Sequence, residues 1–240
     1  MAAANSSGAV EVRRLVAADW AALRELRLTA LADAPYAFSS TLDRELGFDQ
    51  ATWRGRIEST AHVGAWRPGP PAALIGLAAG FPEPAALRGG GAGPADAAGP
   101  GDAAGPGDAA SDPGREEPRA WHLVSMWVGP QGRGQGIADR LVAAVCELAR
   151  ADGAEQLALW VTEVNLRARA FYRRAGFRET GQRQLVRPDE PGNWEQRMLR
   201  DLRQPAAGTA RSVSGSDHPL GMGVMRTTQE IGLSGAGGQG

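Results

Sequence analysis

Val128-Gly-Pro-Gln-Gly-Arg-Gly-Gln-Gly-Ile-Ala-Asp139 joins two stretches of different period. Before it, Trp121–Val128 is apolar and predicts a strand; after it, Ile137, Leu141, Val145 and Leu148 form one apolar stripe of a helix over Ile137–Ala151. The closely spaced glycines between them let backbone N–H groups approach an anion without side-chain interference. The helix dipole adds to that attraction. Strand, glycine loop and helix together make a phosphate-binding layout, which three ligand classes use.

A Walker loop needs a lysine next to Ser or Thr, and the chain contains no lysine, so nucleotide triphosphate hydrolysis of that type is excluded. A dinucleotide fingerprint begun at Gly134 needs a third Gly or Ala at the place of Asp139, whose charge would face the pyrophosphate. Coenzyme A remains.

Strands and helices alternate on both sides of the loop. Val10–Leu15 alternates like a strand, and Asp19 precedes a helix with Trp20, Leu23, Leu26 and Ala30 at helical spacing. A loop containing a short helix around Thr52–Glu58 leads to strands at His62–Trp66 and Ala72–Phe81, with Pro68-Gly-Pro-Pro71 as their hairpin turn. After the central helix come a strand (Gln156–Val161), a helix (Leu166–Ala175) and strands near Phe177–Val186 and Trp194–Leu202. This order predicts an α/β domain over residues 10–203, behind a flexible N-terminus at 1–9. Residues 83–118 carry the hexads Gly93-Pro-Ala-Asp-Ala-Ala98, Gly99-Pro-Gly-Asp-Ala-Ala104 and Gly105-Pro-Gly-Asp-Ala-Ala110, which predict a disordered insertion. Residues 204–240, dominated by Gly, Ser and Thr, predict a disordered tail.

Composition narrows the partners. A formal net charge of −1 supplies no field for nucleic acid or an anionic membrane, so a small-molecule or protein-tail substrate is the expected partner, and a homodimer is left open. A single cysteine, Cys146, and three histidines make a metal site unexpected. No signal peptide or apolar span is visible, and a cytoplasmic location is expected. All 26 basic residues are Arg, which fits the codon bias of a GC-rich genome.

Arg133-Gly-Gln-Gly136-Ile-Ala138 resembles the Arg/Gln-x-x-Gly-x-Gly/Ala signature of the GNAT acetyltransferases; Gln131 starts a second fitting register over nearly the same amides. Asn165, Ala168, Tyr172 and Gly176-Phe177 match the family's Asn-x-x-Ala-x-x-x-Tyr-x-x-x-Gly-Phe, and Leu26–Leu31 with Asp33-Ala-Pro35 and Phe38 resemble its first helix and loop. The resemblance covers residues 10–203 apart from 83–118. It implies a GNAT fold, with a mixed, mostly antiparallel sheet of six to seven strands flanked by about four helices. It also implies an N-acetyltransferase that moves the acetyl group of acetyl-CoA directly to a primary amine, with the cofactor between the fourth and fifth strands. A non-catalytic module that binds acyl-CoA as a sensor is the alternative.

In that resemblance Met126 and Val128 offer backbone groups to pantetheine, and an N–H of the same strand holds the thioester oxygen. Arg133, Gly134, Gln135, Gly136, Ile137 and Ala138 hold the pyrophosphate, and Asn165 contacts coenzyme A. Tyr172, seven residues on and so on the same helix face, serves as general acid for the departing thiolate. The base is open between His122, which alternation places on the face of Met126, and Glu163, with Glu45 and Glu58 as further candidates. The acceptor walls are expected in the loop Tyr36–Glu58 and the segment Arg187–Asn193. Cys146, in the middle of a helix, reads as a core residue.

Overall fold

The computed structural model describes residues 9–84, 87, 119–187 and 191–203. The chain divides into Met1–Ala207 and Gly208–Gly240, and the second unit lies wholly outside the described residues. β1 (Glu11–Arg14) leads through a 3-10 turn into α1 (Trp20–Asp33). Asp19 occupies the N-cap position, but its carboxylate makes no capping bond to α1. It accepts instead from Val16 N at 2.9 Å and from the Arg13 guanidinium at 2.8 and 2.9 Å, which holds its pKa below the ordinary carboxylate value.

Two helices follow where the sequence predicts one. α2 (Leu42–Leu46) is capped by Thr41, whose hydroxyl accepts from Arg44 N; α3 (Gln50–Ser59) is capped by Asp49, which accepts from Thr52 N at 2.8 Å. A five-residue helix is too short for apolar periodicity to reveal it. The remaining elements are β2 (Ala61–Arg67), β3 (Ala73–Pro82), β4 (Ala120–Val128), α4 (Ile137–Ala151), β5 (Gln156–Thr162), α5 (Leu166–Arg174), β6 (Arg178–Leu185) and β7 (Trp194–Asp201).

The strands form one seven-stranded sheet in the order β1-β2-β3-β4-β5-β7-β6. Only β4 and β5 run parallel; every other neighbour is antiparallel. The parallel step is made by the crossover through α4. With five α-helices among the described residues, the architecture is the expected mixed sheet with one helix more.

Both faces of the sheet are covered, which is why β2 and β3 read as nearly continuous apolar runs rather than alternating ones. One core lies between the sheet and α4 and α5, where Ile137, Leu141, Val145 and Cys146 meet Val63, Leu123, Leu157, Leu159 and Met198. The other lies under α1 and α3, where Leu23, Leu26, Leu31, Trp53 and Ile57 meet Leu77 and Trp127. The helix stripe predicted for α4 is buried as expected at Ile137, Leu141 and Val145. No described helix is long and apolar enough to cross a membrane.

The hairpin between β3 and β4 holds the repeat segment, whose hexads lie outside the described residues. Its first residue is ordered: Glu83 N donates to Ala120 O at 2.8 Å, extending the ladder, and Glu83 and Leu87 are both buried. The structured hairpin therefore reaches into the stretch where the sequence predicts disorder from residue 83 onward.

Candidate active site

β4 and β5 pair only over Ala120↔Gln156, Trp121↔Leu157 and His122↔Ala158. Both strands continue beyond that point, β4 to Val128 and β5 to Thr162, so they splay into a cleft. The β5-facing edge of β4 from Leu123 onward is left without a strand partner. Unpaired N–H and C=O groups of this kind can accept an extended ligand as an added strand.

A bulge bends β4 at this place. Between Leu77↔Trp127 and Ala79↔Val124, the single residue Ala78 of β3 faces both Ser125 and Met126. Ser125 has φ of 55°, the one non-glycine residue in the left-handed region among those described. Its hydroxyl accepts from Arg27 Nη1 at 3.3 Å. Arg27, buried in α1, forms a two-pronged pair with Glu45 of α2 at 2.9–3.2 Å and lies 4.5 Å over the Phe38 ring. Glu45 also meets Arg56 of α3 at 3.3 Å. The three N-terminal helices thus clamp the bulge through a buried ion-pair network, which is where Glu45, a candidate base from the sequence, is held.

The bulge overturns one sequence expectation. Simple alternation puts His122 and Met126 on one face, but the extra residue shifts the phase. Met126 and Val128 pack with Trp121 and Leu123 against the α4 core, while Trp127 joins the opposite core. His122, alternating with Trp121 and Leu123, faces the α1 side. It still lines the cleft, together with Met126.

The cleft gathers Asn165, Ala168 and Tyr172 from α5 as well. Asn165 caps that helix: its Oδ1 accepts from Ala168 N at 3.0 Å, which fixes the orientation of the amide. Tyr172 sits two turns on, its ring edge-on to Phe177 and its hydroxyl without a hydrogen-bond partner among the described residues. Burial pushes its pKa well above that of an ordinary phenol.

At the wide end, the glycine loop opens into α4. Gly134 and Gly136 have φ of 79° and 70°, conformations that glycine adopts at little cost, and nothing lies within 4 Å in front of either. The amides from Gly134 to Asp139 have no protein acceptor among the described residues, which makes an anion nest at the start of the helix. Ile137 contributes only backbone, since its side chain is core. Arg133 is arranged differently: its amide is bonded to Pro130 O, and its guanidinium donates to Val128 O at 3.0 Å and Asp33 at 2.7 Å. Trp127 Nε1 also donates to Asp33, and the two bonds hold its carboxyl below the usual range. Arg133 ties the loop to the end of α1.

A model of the acetyltransferase (GNAT) family matches residues 30–177, well over half of the 240-residue chain. The chain belongs to the GNAT acetyltransferase family. It is therefore an acyltransferase, and solved GNAT structures share its fold. It is similar to the acetyltransferase of GNAT family from Streptococcus pneumoniae at 16% identity and a TM-score of 0.56, over 80% of this chain and 99% of that one. It is similar to yncA from Salmonella typhimurium, solved with its cofactor acetyl-CoA, at 16% identity and 0.54, over 85% and 99%. Arabidopsis thaliana NAA60, in complex with acetyl-CoA, gives 15% and 0.55, over 82% and 100%. No curated protein matches the sequence.

The remaining sequence candidates of this GNAT enzyme fall outside the cleft. Glu163 is bound by the Arg183 guanidinium through both carboxylate oxygens, and neither it nor the exposed Glu58 lines the cleft. Cys146 is core, and burial pushes its thiol pKa up, away from a nucleophile's. Of the expected acceptor walls, Ala37, Phe38 and Ser39 line the cleft, whereas part of 187–193 lies outside the described residues.

Sequence reasoning missed a polar floor on the α1 side. Trp160 and Thr162, alternating with the core residues Leu159 and Val161, line the cleft beside Glu195 of β7. Trp160 Nε1, Thr162 Oγ1 and Ser39 Oγ are buried without a protein partner among the described residues. A buried donor or hydroxyl left unpaired costs about 1–3 kcal/mol, so a ligand that bonds these three atoms relieves that cost. A Thr ending an otherwise apolar strand was the signal available in the sequence. Among the described residues no three of His, Cys, Asp and Glu converge as a metal cluster.

Proposed function

We propose that the enzyme transfers the acetyl group of acetyl-CoA directly to a primary amine in the cleft between β4 and β5. One observation carries this reading: strand pairing ends at His122↔Ala158, and His122, Asn165 and Tyr172 all line the opening that results. The residues fit the co-substrate along its length. The open amides of Gly134 to Ala138 suit the pyrophosphate, the free edge of β4 at Met126 and Val128 suits pantetheine amides, and the Asn165 amide suits a pantetheine carbonyl.

Acetyl-CoA supplies a thioester carbon: the amine nitrogen bonds to it, the C–S bond breaks, and the electron pair leaves on sulfur. An ammonium substrate sheds two protons along the way; one ends on sulfur and one goes to solvent. His122 takes the proton that the ammonium must lose before its lone pair can attack. A free N–H on the β4 edge holds the carbonyl oxygen as negative charge gathers there. Tyr172 donates its hydroxyl to the departing sulfur. Ser39, Trp160 and Thr162 supply hydrogen bonds to the acceptor around its amine.

Free-thiol release from acetyl-CoA, followed over a panel of small-molecule amines and peptides, tests this reading. At least one amine should release thiol in step with formation of its N-acetyl product. Tight binding of acetyl-CoA with no release for any amine would contradict it and point to an acyl-CoA sensor.

A further inference from the structure

Among the buried charged groups, three come from separate segments to meet beside the cleft. His122 Nδ1 lies 3.1 Å from Glu83 Oε1, and Arg197 Nη2 donates to Glu83 Oε2 at 2.6 Å. Arg197 Nη1 donates in turn to Gln182 Oε1 at 3.0 Å. The side chains of His122, Glu83 and Arg197 are 1%, 0% and 7% exposed, so the cluster is out of water and its charges are felt strongly.

We propose that Glu83 is the positioning residue for His122, and that Arg197 balances its charge so that the imidazole rests neutral with Nε2 directed at the amine. This rests on His122 being the base. A carboxylate only accepts, so the nitrogen beside it must carry the proton, and the lone pair is left on Nε2. His122 Nε2 has no hydrogen-bond partner among the described residues, and His122 lines the cleft.

The sum of charges sets the resting state. Arg197 offsets the Glu83 charge, so the carboxylate does not need a second proton on the imidazole to balance it, and a proton taken from the substrate is readily passed on. With Glu83 alone beside it, the imidazole would hold a second proton more tightly and serve as a base only at higher pH. With Arg197 alone, it would be repelled from taking one. The other titratable groups facing the cleft are Glu195 on β7, which accepts from the Gln184 amide, and Tyr172 on α5. The residues of β5 on this face, Ala158, Trp160 and Thr162, carry no charge. The Arg27–Glu45 pair meets the strand at Ser125.

The test is the pH dependence of kcat/KM for the amine, measured on the full chain and on the variants Glu83→Gln, Arg197→Met and His122→Gln. The acid limb should move to lower pH in Glu83→Gln and to higher pH in Arg197→Met, each by about 1–3 pH units, because the two changes remove opposite charges. Acetyl-CoA affinity should stay within about twofold in both. Unmoved acid limbs in both variants, with His122→Gln losing about 100-fold or more in rate, would reduce Glu83 and Arg197 to packing. A His122→Gln enzyme at the parent rate would instead overturn His122 as the base. Should the variants not fold, nitrogen NMR of His122 in the unmodified chain reads the tautomer directly. A proton on Nδ1 is expected, and a proton on Nε2 alone would overturn the proposal.

Discussion

Tyr172 shows how burial sharpens a role that the resemblance to the GNAT acetyltransferases implies. It lines the cleft together with Asn165, but burial raises its pKa, so it is a weaker acid than a free phenol. Handing its proton fully to a thiolate whose parent pKa is roughly 8.5 is uphill. In the proposed mechanism its contribution is then a hydrogen bond donated to sulfur while the C–S bond breaks, with solvent completing protonation. Replacing Tyr172 with Phe should lower kcat by about 100-fold and leave the Kd for acetyl-CoA nearly unchanged; an unaffected kcat would remove the hydroxyl from the mechanism. Because the phenol stays protonated throughout the working range, it should add no alkaline limb of its own to the rate profile. Tyr172 and Asn165 were legible because seven residues of helix bring them to one face. Glu83 and Arg197 were not, since they stand 39 residues before and 75 after His122 in the chain, and the β3–β4, β4–β5 and β5–β7 pairings together unite them.

At the scale of the element, the glycine loop and β4 illustrate opposite outcomes. The loop was legible because its chemistry is in the backbone: Gly134 and Gly136 sit at positive φ with open space before them, as a nest for an anion requires. Changing both to Ala should cost about 1–2 kcal/mol at each position in backbone strain, paid in loop geometry rather than in the core. Calorimetry should find acetyl-CoA affinity reduced about tenfold or more, with the melting temperature lowered by about 4–16 °C and the domain still folded at about 25 °C. An unchanged Kd would show that these amides do not hold the cofactor. β4 was legible as a strand but not in its phase, because the bulge sits at Ser125 rather than at a glycine, and is held by Arg27 from another element. A one-residue insertion exchanges the faces of everything after it. That is why His122 and Met126 stand on opposite sides of the sheet.

Across the whole molecule, the proposed donor side is more legible in the sequence than the proposed acceptor side, for a physical reason. The sites proposed for acetyl-CoA lie on local motifs, a loop and one helix, so their spacing in sequence survives folding. The acceptor floor is assembled from residues of β4, β5 and β7 and the segment after α1, each contributing one or two side chains through the sheet's alternation. Helix packing adds to that surface: α1, α2 and α3 converge on Arg27 and Glu45, so the clamp on the bulge is a property of the N-terminal half as a unit. Titration of the purified full chain with acetyl-CoA by calorimetry tests the central claim most directly. One molecule of acetyl-CoA should bind per chain, and the double Ala variant at Gly134 and Gly136 should bind more weakly. Absence of any binding by the unmodified chain would contradict the assignment of the cleft between β4 and β5 as an acetyl-CoA site.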